Sequence, residues 1–259
     1  MTSRRAILKL ALAAAVAPRA AAAQAVATVA AASDLSEALP LVAAAFQRRT
    51  GRAVRIVYGP THVFTQQIQK DTGRYELFLA ADESYVRQLE KVGLTANTGA
   101  LYGIGRLCLY VPNGSKVRLD GRLRDLGAAT RDGRLQKLAL FSTNGPYGRA
   151  SREALTRARI WMPVQPKVAL AENANQMVQL ATSPGVQAAL LPLSVAIMPR
   201  LRAAGAYILV PDTYHRPLRH RAVLLKGAGA TAEAFYRFLR DPEARAIMRQ
   251  HGFNLPGGR

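Results

Sequence analysis

Hydroxyl-bearing and small residues follow the predicted strands of this chain at the places where an enzyme would carry acids, histidines or lysines. In the clearest case, the apolar run 26–32 leads into Ser33 and a helical pattern. Free N–H groups at a helix start are partly positive, so a hydroxyl there adds to an anion site. Similar positions end four later strands, and the full set is Ser33, Thr61, Ala81, Tyr147 and Asn173 with Ala174. This pattern predicts a cleft that binds an anion.

All of these positions can donate a hydrogen bond, through a hydroxyl, a phenol or the backbone N–H. A site of donors without an acceptor suits a fully deprotonated oxyanion, because a protonated oxygen would find no acceptor there. The set therefore favours molybdate-like or sulfate-like anions over hydrogen phosphate. This expectation fails if Asp34 or Asp82 turns inward and accepts.

Each position also has an ordinary structural explanation. Ser33 or Asp34 is a typical helix N-cap, and Asp82 is expected to cap the helix of Glu83. The segments 59–61 and 146–148 are consistent with simple turns. Only the recurrence at four or five successive strand ends favours a common site.

The first 25 residues have the composition of an export signal. Arg4, Arg5 and Lys9 precede an Ala/Leu-rich core that ends in an A-x-A cleavage pattern at residues 23–25. The segment 3–9 is similar to a twin-arginine motif, and an ordinary Sec signal with a chance Arg pair is the alternative. Cleavage leaves about 234 residues without another apolar run of membrane-spanning length, so we expect a periplasmic protein of two soluble lobes.

The chain is strongly basic, with a formal net charge of +20. Four of these charges lie in the export signal, which leaves +16 on the mature chain. The arginines are spread over many predicted helices and form no long basic run, which argues against a nucleic-acid partner. We interpret the charge as a general field that favours anions.

Residues that usually do chemistry are few and scattered. Cys108 lies in an alternating strand pattern and is expected to be a small buried hydrophobe rather than a nucleophile. The four histidines, His62, His215, His220 and His251, lack the spacing of a metal site. The first three lie in predicted loops that could approach the cleft. The familiar nucleotide-binding, hydrolase and metalloprotease motifs are absent from the sequence. We therefore expect no enzyme, no metal ligands and no cofactor.

Strand-like and helix-like segments alternate along the chain, which predicts α/β architecture with mainly parallel sheets. The predicted strands are 26–31, 54–58, 77–80, 100–103, 107–111, 138–141, 167–170, 188–191, 207–210 and 222–226. Helices are expected over 35–49, around 64–68 and 85–89, from 147, 173 and 193, and over 231–239 and 241–251. Two adjacent strands near residue 105 indicate a crossing between lobes. The prediction is a first lobe of 26–105 and 215–259, a second lobe of 106–214, and a ligand cleft between them.

Several short motifs, in collinear order over the whole mature chain, resemble the periplasmic molybdate-binding proteins of ABC importers. They lie at 30–35, 57–59, 64–68, 76–82, 104–107, 146–150, 172–173, 193–194, 242–246 and 252–253. The resemblance implies a type II periplasmic binding fold, and a monomer that hands molybdate or tungstate to a membrane permease. It places the ligand donors on Ser33, Thr61, Ala81, Tyr147 and Ala174. Asp34, His62 and Asn173 are further candidates beside them.

The sequence departs from this family in the second strand–helix loop. Pro60 removes a backbone donor and His62 adds bulk, where relatives usually carry Gly-Ser-Ser-Gly. Pro192 stands where some members have a tyrosine, and His220-Arg221 stands where relatives have small or uncharged residues. A different anion such as sulfate, a phosphonate or an organic acid is therefore the alternative ligand. An enzyme or a transcription regulator on the same fold is less favoured, because the strand ends lack acids and no helix-turn-helix precedes the first strand.

Overall fold

The computed structural model describes residues 26–257, so the predicted export signal lies outside the described residues. The first sheet contains β1 (Ala27–Ala32), β2 (Val54–Gly59), β3 (Leu77–Ala80), β4 (Ala100–Gly105) and β10 (Leu218–Leu224) in the order β2-β1-β3-β10-β4. β10 runs antiparallel to both of its neighbours, while β1 is parallel to β2 and β3.

The second sheet repeats this plan. It contains β5 (Leu107–Pro112), β6 (Leu138–Phe141), β7 (Val168–Ala171), β8 (Ala188–Pro192) and β9 (Gly205–Leu209) in the order β7-β6-β8-β5-β9. Only β5 runs against its neighbours. The prediction of two mainly parallel α/β sheets is confirmed, and the pattern matches a two-lobed type II binding fold.

Helices flank both sheets. The larger ones are α1 (Ala38–Thr50), α2 (Thr61–Lys70), α3 (Glu83–Lys91), α4 (Arg124–Arg131), α5 (Pro146–Arg157), α7 (Ala174–Ala181), α10 (Ala230–Phe238) and α11 (Pro242–Gln250). Three shorter helices are α6 (Trp161–Val164), α8 (Leu193–Ala196) and α9 (Pro199–Ala204). Neither α4 nor α6 was predicted from the sequence. Among residues 26–257, no helix has the length and apolar character to cross a bilayer.

The first helix begins later than predicted. Residues Ser33–Leu35 form a single 3-10 turn, and α1 starts only at Ala38. A continuous helix from Leu35 is ruled out by Pro40, which has no N–H to donate to the carbonyl of Ser36 and would clash with it. Ser33 therefore heads a tight turn and not an α-helix, and this turn points residue 34 into the protein interior.

The strand predicted at 222–226 is also displaced. β10 spans Leu218–Leu224, and its buried positions alternate as Leu218, His220 and Ala222. The flanking arginines Arg219 and Arg221 disguise this alternation in the sequence. His220 is consequently a fully buried strand residue, and its prediction as a loop residue is wrong.

The chain crosses between the sheets twice. β4 and β5 are separated only by Arg106, and the segment 210–217 leads from β9 back to β10. The closing helices pack on the first sheet's side as expected, with Phe46 of α1 against Phe235 and Phe238. Arg49 of α1 also pairs with Asp241, which caps α11.

Candidate functional site

A small cavity lies between the two sheets and receives residues from both. Its volume is about 40 Å³. The first sheet supplies Ala32, Ser33, Asp34, Gly59, Pro60, Thr61, His62 and Ala81, and the second supplies Phe141, Ser142, Gly145, Pro146, Tyr147 and Glu172. Four of the predicted donor positions thus meet at one place, because the carboxyl ends of parallel strands lie along the same sheet edge.

Thr61 is the first residue of α2 and is buried. Its hydroxyl oxygen accepts a hydrogen bond of 3.2 Å from the backbone N–H of Ala81. The predicted donor at Ala81 is therefore already used by Thr61 in this arrangement, whereas the hydroxyl proton of Thr61 is not used in this hydrogen bond. Pro60 occupies the N-cap position of α2 and has an extended backbone conformation. Its missing N–H lies outside the helix, so the N–H groups of the first turn of α2 remain available.

Tyr147 reaches the cavity from the first turn of α5, whose N–H groups have no partner within the helix. Its hydroxyl extends across to the first lobe, 3.4 Å from Nε2 of His220. Gly105 at the end of β4 makes this possible, because a methyl group there would collide with the Tyr147 hydroxyl. The phenol of Tyr147 therefore joins the two lobes beside the cavity.

Asp34 contradicts the expectation that no carboxyl faces the cleft. Its side chain is 4% exposed and contributes to the cavity wall. Neither carboxyl oxygen has a hydrogen-bond partner within hydrogen-bonding geometry among the described residues. Burial raises the pKa of this carboxyl, and the nearby His220 and Tyr147 only partly oppose that effect. The site is thus a set of donors plus one carboxyl that can hold a proton.

His220 is the site residue that the sequence analysis missed as a buried group. Its Nε2 lies 3.5 Å from Oδ2 of Asp34, and its Nδ1 lies 3.3 Å from the hydroxyl of Tyr102 on β4. Burial lowers the pKa of the ring, although Asp34 acts in the opposite direction. The one available signal was the alternation of residues 218, 220 and 222 with arginines, and the two charges beside His220 obscured it.

Asp82 does not enter the cavity. One of its oxygens accepts from the N–H of Ser84 at 2.8 Å and so caps α3, as predicted. The other forms an ion pair with Arg149 of α5, which belongs to the second lobe. Asp82 therefore ties the lobes together at the rim of the cleft.

The two positions predicted at the start of α7, Asn173 and Ala174, do not line the cavity. Asn173 caps this helix by accepting from the N–H of Gln176 at 3.0 Å, which is its ordinary structural explanation. Ala174 follows in the first turn, while the cavity wall itself reaches only Glu172. His62 does line the cavity, on the side of Gly145 from the second lobe.

The remaining chemical residues lie outside this site. Cys108 is fully buried on β5, and burial raises the pKa of its thiol to about 12, so the interpretation as a buried hydrophobe is confirmed. Nδ1 of His215 is 2.9 Å from the carbonyl of Arg216, and Nδ1 of His251 donates to the carbonyl of Ile247 at 2.8 Å. Within residues 26–257, no cluster of three or more His, Cys, Asp or Glu side chains could hold a metal ion.

The chain is similar to known binding proteins over almost its full length. It is 28% identical over 256 residues to the molybdate-binding protein ModA of Rhodobacter capsulatus, covering 97% of this chain and 96% of that one. The ModA of Azotobacter vinelandii is 28% identical over 231 residues, covering 88% and 89%. In fold, the chain is similar to a solved periplasmic molybdate-binding protein from Azotobacter vinelandii, with a TM-score of 0.78, 24% identity, and coverage of 89% and 99%.

The family model of the bacterial extracellular solute-binding proteins matches residues 27–254. This range includes every strand of both sheets and every residue of the cavity wall. The protein therefore belongs to the family of bacterial extracellular solute-binding proteins.

Proposed function

We propose that the protein captures a tetrahedral oxyanion, molybdate or tungstate, in the periplasm and delivers it to the membrane permease of an ABC importer. The observation that carries this proposal is the cavity between the lobes, where donors from both sheets converge. The two curated relatives described above are named as molybdate-binding proteins, which supports the choice of anion. No bond is made or broken in this function.

In this proposal the anion lies against Ser33, Thr61, Ala81, Tyr147 and Ala174. The hydroxyls of Ser33 and Thr61 donate from the first lobe. The N–H groups at the starts of α5 and α7 approach from the second, where the helix dipoles also favour negative charge. Hydrogen bonds to a charged acceptor are stronger than neutral ones, so a few such donors suffice.

The size of the cavity supports a small inorganic anion. Pockets for drug-sized organic ligands span about 300–1,000 Å³, whereas this cavity holds about 40 Å³. An organic acid would require the lobes to stand further apart. With the lobes placed as in this structure, the cavity between them therefore suits compact tetrahedral oxyanions best.

We further propose that the chain acts as a monomer whose lobes close on the anion. The lobes are assigned to residues 26–105 with 215–259 and to 106–214, with Arg106 and the segment 210–217 as the connections. Closure would fix the surfaces of the two lobes relative to each other, and the permease would recognise this closed form in preference to the open form. The signal of residues 1–25 would be removed on export, by the twin-arginine or the Sec route.

The test is calorimetry and thermal shift on the mature chain with molybdate, tungstate, sulfate, phosphate and a phosphonate. We expect one site per chain, with molybdate and tungstate bound most tightly. Ser33→Ala should weaken their binding by about 1–3 kcal/mol through loss of a charge-assisted hydrogen bond, while Thr156→Ala on the exposed face of α5 should not. Absence of binding to every oxyanion would contradict the proposal.

A second candidate within the same class is a phosphate or phosphonate. Asp34 favours it, because a carboxyl in the cavity wall can accept a hydrogen bond from a protonated oxyanion. An enzyme on this fold gains no support from the site, since the buried Cys108 thiol is far from its reactive form. Turnover of a substrate that depended on His62 or Cys108 would overturn this view.

A further inference from the structure

The carboxyl group of Asp34 is the one part of the cavity that a simple set of donors does not explain. It is 4% exposed, it faces the cavity, and neither oxygen has a hydrogen bond of good geometry among residues 26–257, although the Tyr147 hydroxyl lies near enough to donate to it. A buried polar atom without a partner costs free energy, so native proteins rarely keep one without a use. An ionised carboxylate in this place would also repel the dianion that the site is proposed to bind.

The groups that surround Asp34 show which protonation state fits. His220 on β10 is its only basic neighbour within 4 Å in the described part of the chain. Tyr147 on α5 faces it from the second lobe, and Tyr102 on β4 lies behind the His220 ring. Asp82 acts on His220 from further away. No lysine or arginine is therefore close enough to hold Asp34 as an anion.

The hydrogen bonds of Tyr102 favour one tautomer of His220. The Tyr102 hydroxyl donates its single proton to the carbonyl of Ala80 at 3.3 Å, since a carbonyl can only accept. Its oxygen is then an acceptor for the N–H of Nδ1 of His220, at 3.3 Å. In the neutral ring, Nε2 consequently presents a lone pair toward Asp34 and Tyr147. An ionised Asp34 would face this lone pair and be repelled by it, whereas a neutral carboxyl would not. The Tyr147 hydroxyl can donate to Nε2, which leaves the Asp34 proton for the cavity.

We propose that the cavity binds its oxyanion together with one proton, which is held between the Asp34 carboxyl and a ligand oxygen. The inference rests on the proposed function, and it deepens that function by specifying the protonation state of the bound complex. With molybdate or tungstate, the proton comes from solvent and Asp34 becomes the donor. With hydrogen phosphate, the ligand brings the proton and ionised Asp34 accepts it. The proton count inside the cavity is the same in both cases.

This arrangement gives a pH dependence of known sign. Burial already raises the pKa of Asp34 in the free protein, and a bound dianion raises it further by repulsion of the ionised form. Where free Asp34 is ionised, each dianion must take up a proton, so affinity falls by up to about tenfold for each unit of rising pH. Where free Asp34 is already protonated, binding takes up none and affinity is constant.

The experiment is calorimetry of the full mature chain with molybdate between pH 6 and 9.5. Each pH is measured in two buffers of different ionisation enthalpy, which yields the number of protons taken up. We expect uptake to increase toward one per molybdate at alkaline pH, with a matching fall in affinity. Asp34→Asn keeps a donor at this position without a titrating group, so it should bind molybdate with neither uptake nor pH dependence. Asp212→Asn, on an exposed residue, should behave as the native chain.

Two results would overturn the inference while leaving the proposed function intact. One is molybdate binding by the native chain with no proton uptake and constant affinity over this range, combined with undiminished affinity in Asp34→Ala, which has neither a donor nor a titrating group at this position. The other is an Asp34→Asn variant that retains the native pH dependence. Thermal unfolding of each variant verifies that it is folded. Titration with phosphate separates the two proton sources, because binding of hydrogen phosphate to ionised Asp34 should take up no proton from the buffer.

Discussion

Arg149 of the second lobe pairs with Asp82 of the first and holds the two lobes together at the rim of the cleft. The same guanidinium donates to Glu153 at 3.0 Å, and Glu153 in turn pairs with Arg216 of the returning segment at 2.7 Å. Close by, the hydroxyl of Tyr85 donates to the carbonyl of Asn144 at 2.6 Å across the lobes. These contacts do not involve the cavity, so they stabilise the closed arrangement independently of the anion.

The ion pair should contribute to ligand affinity through closure. Asp82→Asn removes the charge but retains a good cap for α3, because asparagine accepts from the same N–H. We expect oxyanion affinity to fall by about 1 kcal/mol, because the pair with the half-buried Arg149 forms only when the lobes are closed and the variant lacks this stabilisation of the closed form. Calorimetry measures this change. Glu243→Gln, which breaks the exposed pair with Arg48 inside one lobe, should leave affinity unchanged, and an equal loss in both variants would contradict the explanation.

Thr61 should contribute to oxyanion affinity through two hydrogen bonds. Thr61→Val keeps the shape of the side chain but removes the proposed donor to the anion and leaves the Ala81 N–H without its acceptor. We expect affinity to fall by about 2 kcal/mol or more. Thr61→Ser retains the hydroxyl and should stay within about 1 kcal/mol of the native chain. Equal affinities of the valine and serine variants in calorimetry would remove Thr61 from the site.

Gly105 should be required for the approach of Tyr147 to the first lobe. A methyl group at residue 105 would overlap the Tyr147 hydroxyl and crowd Nε2 of His220, which lies 2.8 Å from its position. Gly105→Ala is therefore expected to displace the phenol and to weaken oxyanion binding by about tenfold or more, or ~1.4 kcal/mol. Gly103→Ala on the same strand is the matched control, because its methyl group would make only ordinary contact with Phe253. Similar affinity in both variants would show that this close approach has no role.

The stability of the free protein should depend on pH through Asp34. Its folded pKa lies above the unfolded value of 3.8, so its contribution to stability is complete below pH 3.8 and is lost as pH rises through the folded pKa. Asp34→Asn should therefore gain Tm relative to the native chain on going from pH 4 to pH 8. A gain of about 2–4 °C corresponds to ~1 kcal/mol in a protein of this size. A constant difference in Tm over this range would show that Asp34 titrates normally.

Much of the fold could be predicted because the strands are continuous apolar runs with turn residues between them. The strand ends predicted at 31, 58, 80 and 141 lie within one residue of the observed ends, and with them follows the convergence of Ser33, Thr61, Ala81 and Tyr147. The duplicated strand order could not be read from one sequence, since it depends on which strands pair. The short helix α6 was missed because it contains a proline and spans only four residues.

The errors at the site have a common physical cause, which is that polar residues can be buried by tertiary packing. For Asp34 the sequence left a helix cap and an inward-facing acceptor as alternatives, and the structure shows the second, because Pro40 delays α1 and the intervening turn directs residue 34 inward. His220 was expected in a loop, since the arginines beside it concealed a strand whose inner face is buried. Local composition indicates neither environment. The first sheet brings Asp34 and His220 together, and only the contact between the two lobes adds Tyr147.

The central claim is that the cavity between the lobes is the anion site. A crystal structure of the mature chain with molybdate, with anomalous scattering recorded at the molybdenum edge, tests it most directly. The account predicts one molybdenum peak per chain, enclosed by Ser33, Thr61 and Tyr147, with an Asp34 oxygen at hydrogen-bond distance from a molybdate oxygen. A molybdenum peak outside this cavity, or a molybdate inside it that Ser33 and Thr61 do not contact, would contradict it.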